Sequence, residues 1–311
     1  MTMLKFVTKD TNIDFMKARF FTYILSGVLV VLSCLSIYFK SFNFGIDFSG
    51  GVLMEIKSEK AINVEEIRSK LSVLNLDELN LQTIGEDNKE LMIRAQAQNG
   101  DEVAQMKAVA EIRDILGSSY EYRRVENVGP QVGDELKTAG IVSSVLAMIA
   151  IALYIWIRFE WQFAVGALIG LFHDIIITVG LLSYFRFDFS LTTVAAILTL
   201  VGYSINDTVV TYDRIRENLK KYRKMPQLEL LNKSINDIFS RTILTGLTTL
   251  IAVVPLYLWG GEALESFSFT IFAGLIIGTY SSIYICTAFL NLFDLRAVNN
   301  KEEENYFGTI G

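Results

Sequence analysis

Asp207 is a carboxylate set inside Leu191–Tyr212, an apolar run otherwise long enough to span a bilayer. An ionisable side chain in hydrocarbon costs roughly 2.5 to 3.5 kcal/mol on insertion scales, so it marks function by default. Asn206 precedes it, and Arg241 opens the next apolar run. A carboxyl so placed can take up and release a proton beside a gating guanidinium. It can equally form a static ion pair or an interhelical hydrogen bond. At 1.5 Å per residue Asp207 lies roughly 24 Å from Leu191 and ~7 Å short of Tyr212. Arg241 is within snorkelling distance of that depth.

Other polar residues fall in apolar runs. From Arg241, the residues Thr245, Thr248 or Thr249, and Ala252 share one helical face that is expected to pack on the helix of Asp207. His173 and Asp174 lie mid-run in Phe163–Phe185. Imidazole titrates near physiological pH, so the pair suits a proton relay; it suits a hydrogen bond to a neighbouring helix equally. Neighbours on a helix diverge by about 100°, so the two are not expected to face one partner. Gly274, Gly278 and Ser282 recur every four residues, a small-residue stripe that implies close helix packing. Pro255 frees a backbone carbonyl within its run.

These residues need helices to hold them. Half of the 311 residues (51%) are hydrophobic and mean hydropathy is +0.38, values that suit a polytopic membrane protein. Six runs approach the ~20 residues that cross the hydrocarbon layer: Phe20–Phe39, Thr138–Ile157, Phe163–Phe185, Leu191–Tyr212, Thr242–Trp259 and Phe267–Phe293. Lys17 and Arg19 precede the first run, but its apolar stretch is too long for a signal peptide and no cleavage pattern follows, so it is read as a retained anchor. Lys and Arg crowd the tail before it (residues 1–19) and the connection from Arg214 to Arg241. The third-to-fourth connection has only Arg186, Gly260 to Ser266 has none, and the long segment after the first run is too long to count for charge bias. Both tails, including residues 294–311, and the basic connection are therefore expected in the cytoplasm. Trp156, Trp161, Tyr184 and Trp259 fall at run ends, where amphipathic rings prefer to sit. Lys220 to Lys224 reads as a topology determinant near anionic lipid, not as a nucleic-acid site.

Several chemistries are not expected. The lone histidine, His173, rules out a multi-histidine metal site. The two cysteines, Cys34 and Cys286, each lie in an apolar run, so no structural disulfide is expected. Without a phosphate-cradling Gly-rich loop followed by Lys, no enzyme that hydrolyses nucleotides is indicated. Neither a metal nor a cofactor is called for.

Residues 40–137 form an outer segment between the first two runs. Val52–Lys57 alternates as a strand, Val64–Leu74 has helical spacing with Asn63 as its N-cap, and Leu79–Ile84 and Glu90–Ala95 read as a hairpin turned by Gly85–Lys89. Asp101–Leu116 is a second helix and Tyr120–Val125 a last strand. The order β-α-β-β-α-β is that of a ferredoxin-like unit. The fold class is thus an α-helical polytopic membrane protein, six helices with a ferredoxin-like α+β domain between the first two.

The motifs resemble one family. Gly45–Gly51 after the first run and Gly129–Gly133 before the second are similar to signatures of the SecF family. So are Val201–Val210, Tyr212–Asn218 and Gly278–Ser282, and the likeness extends from about Phe15 to Asp294. The resemblance implies an RND-superfamily member that pairs with SecD, six helices from each. With the SecYEG channel and YajC, such proteins assist export of unfolded preproteins across the bacterial inner membrane as protons flow inward. The family's intramembrane Asp and functional Arg match Asp207 and Arg241, and SecD would supply a further carboxylate. Gly50 and Gly51, with Gly129, Pro130 and Gly133, flank the outer domain as turns or hinges. The alternatives are half of an RND-type drug or lipid exporter, and a membrane scaffold without ion coupling.

Overall fold

The computed structural model describes residues 11–74, 76–84, 87–96 and 102–296. Most of the N-terminal tail, Gly85, Glu86, Asp101 and the C-terminal tail beyond 296 lie outside the described residues. After a short 3-10 turn, α1 (Arg19–Lys40) leads to β1 (Asn43–Phe44), α2 (Ile46–Ser49) and β2 (Gly51–Lys57). Then come α3 (Val64–Leu71), β3 (Asp77–Ile84), β4 (Glu90–Gln96), α4 (Glu102–Leu116) and β5 (Glu121–Val128). The long helices α5 (Pro130–Arg158) and α6 (Trp161–Phe185) follow, then β6 (Asp188–Phe189), α7 (Leu191–Lys221) and α8 (Gln227–Trp259). The last helix is α9 (Glu262–Ser281), continued by a π-helical turn (Ser282–Cys286) and α10 (Thr287–Leu290). Six of these helices are long and apolar enough to cross a membrane.

The chain divides into two compact units, the one that holds the larger sheet comprising residues 43–145 and 188–194. Its four-stranded sheet has the order β3-β4-β2-β5, every neighbour antiparallel, which is the ferredoxin-like arrangement expected from the element order. Alternation does the sorting. Val52, Met54 and Ile56 of β2 and Leu91, Ile93 and Ala95 of β4 point to one face, buried against Ile67 and Leu71 of α3 and Ile112 and Leu116 of α4. Asn63 caps α3, its Oδ1 accepting from the amides of Glu65 (3.1 Å) and Glu66 (3.4 Å). Asn63→Ala is expected to remove about 1 kcal/mol of helix stability. The checking measurement is amide exchange in α3, which should quicken by about fivefold.

The second unit holds residues 1–42, 146–187 and 195–311. Small and hydroxylic residues bring its helices together, as they do where apolar area gives no preference between lipid and protein. At the α1–α6 crossing, Gly180 sits so close to Ser33 that a Cβ there would overlap it. Ser183 Oγ adds donations to the carbonyls of Ser36 (3.1 Å) and Ser41 (2.9 Å).

Helices α7 and α8 run beyond the apolar runs. The sequence reading ends the fourth run at Tyr212 and starts the fifth at Thr242, yet α7 continues to Lys221 and α8 begins at Gln227. These extensions are amphipathic, so hydropathy alone does not register them. Ile215 and Leu219 are buried with Leu230, Leu231 and Ile235 in one core, while Arg214 pairs with Asp237 (2.9 Å) on the outside. Tyr212 is accordingly no helix end but one of the largest fully buried side chains. Pro255 lies within α8, which remains one helix to Trp259. Both cysteines are free.

Candidate functional site

Asp207 is 8% exposed and faces two other helices. Thr242 Oγ1 of α8 donates to its Oδ1 at 2.9 Å, and Ser282 Oγ of the last helix donates to its Oδ2 at 2.7 Å. Among the described residues the carboxylate has no salt bridge. Its hydrogen bonds come from neutral hydroxyls, so a proton can come and go without breaking a buried ion pair.

A second carboxylate lies in the same cluster. Asp174 of α6 is fully buried and accepts from Ser204 Oγ of α7 (2.5 Å) and Ser281 Oγ of the last helix (2.8 Å). His173 Nδ1 stands 2.9 Å from Asp174 Oδ1, and the ring lies beside Tyr280 with centroids 6.1 Å apart. His173 and Asp174 thus have different neighbours, Tyr280 for the ring and Ser204 and Ser281 for the carboxylate, and also bond to each other. Their Cβ bonds diverge, but both side chains are long enough to turn back and meet. His173 Nε2 is buried with no hydrogen-bond partner among the described residues.

Ser281 and Ser282 are adjacent, yet one reaches Asp174 and the other Asp207. They stand where α9 gives way to the π-helical turn, a local device that recurs at functional sites. The turn's spare carbonyls are taken by side chains: Thr287 Oγ1 donates to Ser282 O (2.9 Å) and Tyr212 OH to Cys286 O (3.3 Å). Room for the Tyr212 hydroxyl comes from Gly166, where an added Cβ would stand 2.6 Å from that oxygen. Tyr212→Phe should destabilise the fold by about 1 to 3 kcal/mol by orphaning the carbonyl, as thermal unfolding in detergent would measure.

The small-residue stripe is the wall that brings the last helix to α7. Gly274 meets Leu200, Gly278 would place a Cβ 3.3 Å from Ser204 Cβ and 3.5 Å from Asp174 Oδ2, and Ser282 binds Asp207. Ser282 is thus both a packing residue and a partner of the carboxylate, a second role the sequence reading missed. Ser204, Ser281 and Thr242 were missed as well, although Ser204 sits one turn before Asp207 on the same face.

Two expected neighbours, Asn206 and Arg241, make no hydrogen bond to Asp207 among the described residues. Asn206 is exposed, because one step along a helix turns a side chain by about 100°. Arg241 is also exposed, beside Asp213, Arg214, Glu217 and Asp237, near enough for its charge to act on Asp207, while its neighbour Thr242 supplies the hydrogen bond. The stripe of Thr245, Thr248 and Thr249 does not pack on α7 either. These hydroxyls point outward and bond to their own helix's carbonyls, while Thr242, Gly246 and Val253 form the buried face of α8.

The glycines at the ends of the ferredoxin-like domain form a tight junction. Gly50 (φ 71°) and Gly51 (φ 115°) adopt backbone that L side chains resist, and added Cβ atoms would lie 3.0 Å from Pro130 Cα and 2.8 Å from Ala95 O. Gly133 presses on Gly50 N, and its own amide donates to Gly129 O at 2.9 Å.

The family model described as protein export membrane protein SecD/SecF, C-terminal, matches residues 108–296, and that of the SecD/SecF GG motif matches residues 36–62. The protein translocase subunits SecF of Rickettsia akari and Rickettsia rickettsii are each 44% identical over 302 residues, 96% of this chain and 97% of theirs. The crystal structure of SecDF, a translocon-associated membrane protein from Thermus thermophilus, is 33% identical with a TM-score of 0.81. It is matched over 91% of this chain, which spans 39% of that longer protein. A super-membrane-facing form of SecDF gives a TM-score of 0.66 at 32% identity, covering 96% of this chain and 40% of that one. By identity over nearly its whole length, the chain belongs to the SecF group of the SecD/SecF protein-export family.

Proposed function

We propose that the chain is the SecF-type subunit of a bacterial inner-membrane protein translocase, and that it uses proton flow to assist export of unfolded preproteins. The carrying observation is Asp207, a buried span carboxylate hydrogen-bonded by hydroxyls from two other helices and, among the described residues, in no salt bridge. Neutralising it changes the balance among α7, α8 and the last helix, which is the two-state element that coupling requires. One elementary charge crossing 100 mV is worth ~2.3 kcal/mol, enough to bias such an element.

A SecD-type partner supplies the second half of the unit. Arg241, Asn206 and the outward threonines of α8 support this, since polar side chains in spans seldom face lipid. Arg241 then acts on the coupling site from the partner side, and His173 and Asp174 serve as a relay behind Asp207. The SecYEG channel and YajC complete the assembly. Both termini and the basic α7–α8 connection are cytoplasmic, which leaves the ferredoxin-like domain outside to hold the emerging chain.

The test is export into sealed vesicles carrying the purified complex, with and without a protonophore. Collapse of the gradient after the ATP-driven step should slow completion of export, and a SecD-type chain should copurify. Export indifferent to the gradient would favour an uncoupled scaffold. A complex that moves small amphiphiles but no preprotein would favour the exporter reading.

A further inference from the structure

Residues 188–194, the approach to α7 and its first turn, belong to the outer unit and not to the unit that holds the rest of the helix. The contacts are specific. Asp47 of α2 accepts from the amide of Leu191 at 2.9 Å, so a carboxylate from the outer domain caps the start of α7. β1 and β6 pair in parallel, Asn43 with Asp188 and Phe44 with Phe189. Arg94, on the central strand β4, reaches Asp188 Oδ2 at 2.5 Å, and Asn43 Nδ2 binds Asp188 Oδ1 at 2.5 Å. Thr193 Oγ1 then ties Asp188 O to the first helical turn at 2.8 Å.

We infer that Asp47 and the Arg94–Asp188 pair are the mechanical link of the machine: they fasten the outer domain to the end of the helix that carries Asp207. α7 is one uninterrupted helix from Leu191 to Lys221, so a rotation or shift set by protonation at Asp207 is delivered at Leu191. There it meets an amide held by Asp47 and a strand anchored through the Arg94–Asp188 pair, not a slack connection. Asp188 is fixed by the outer domain's own sheet through Arg94, so the movement passes to the sheet. These are positioning residues: none of them touches the coupling carboxylate. The inference rests on the proton-coupling reading above.

The experiment measures proton uptake and preprotein export side by side in vesicles carrying the full complex. Its variants are Asp47→Ala, Asp188→Ala, Asp47→Asn and Asp207→Asn. Both alanine variants should keep uptake within about twofold of wild type. Their export should fall by about tenfold or more, the size of a lost coupling. Asp47→Asn should export nearly as wild type, because an amide oxygen caps a helix as well as a carboxylate does. A purely structural role would instead lower uptake and export together, and that result in both alanine variants overturns the link, as does normal export in both. Asp207→Asn separates the two claims. If that variant takes up protons like wild type, the proton reading fails and takes the link with it.

Discussion

Asp207→Asn should abolish proton uptake by vesicles carrying the complex and lower gradient-driven export by at least about tenfold. The substitution preserves shape. Asparagine still offers an oxygen to one of the two hydroxyls, and the other hydroxyl, free to rotate, turns its lone pair to the new amide N–H. Thr242 and Ser282 therefore remain bonded, and the loss in stability stays near about 1 kcal/mol. What disappears is the ability to change charge. Because assembly survives while coupling does not, the variant separates a working carboxyl from a structural one. Normal uptake in Asp207→Asn would exclude this carboxyl as the proton carrier.

Gly170→Ala should destabilise the protein by about 1 to 3 kcal/mol, the usual range for overpacking. Cys286→Ala in the same chain should recover most of that. The added Cβ at Gly170 meets the Cys286 sulfur at overlap distance, whereas Cys286 Cβ, at 3.9 Å, is an ordinary contact. Removing the sulfur alone therefore opens the space. Cys286 closes the π-helical turn that begins at Ser282, so strain here acts directly on the serines that hold both carboxylates. A double-mutant cycle on thermal unfolding in detergent reads the coupling, expected at about 1 kcal/mol or more. Additive effects of the two substitutions would show that the turn yields without resistance.

The ferredoxin-like domain was the most legible part of the chain. Each of the four strands of its sheet and the two helices packed on them appears within a few residues of the position read from alternation and helical spacing, and Asn63 caps α3 as its type and place suggested; the short β1, α2 and β6 were not read. Both signals are local and survive whatever else the chain does. The amphipathic ends of α7 and α8 were not legible, because hydropathy records where lipid begins and ends, not where a helix does. Ile215 and Leu219 carry that missing information as spacing, not as average hydrophobicity.

The candidate site was legible in part. Asp207 and Asp174 announced themselves by charge within apolar runs, and the small-residue stripe by its period of four. Their partners did not. Serine and threonine are common in spans and bond readily to their own helix, as Thr245, Thr248 and Thr249 do, so type alone cannot tell a partner from a bystander. The role of Asp47 was equally hidden, since the amide it receives lies 144 positions away in sequence.

By itself the sequence determined six helices apolar enough to span, a β-α-β-β-α-β unit between the first two and a carboxylate in the fourth, because each follows from composition or from a period read over a few turns. Only the tertiary structure decided which of two adjacent residues hydrogen-bonds to the carboxylate: Thr242 and not Arg241. The physical reason is rotation. Each step along a helix turns the side chain by about 100°. The angle at which a helix finally rests is set by the glycines and serines of its neighbours, not by its own pattern.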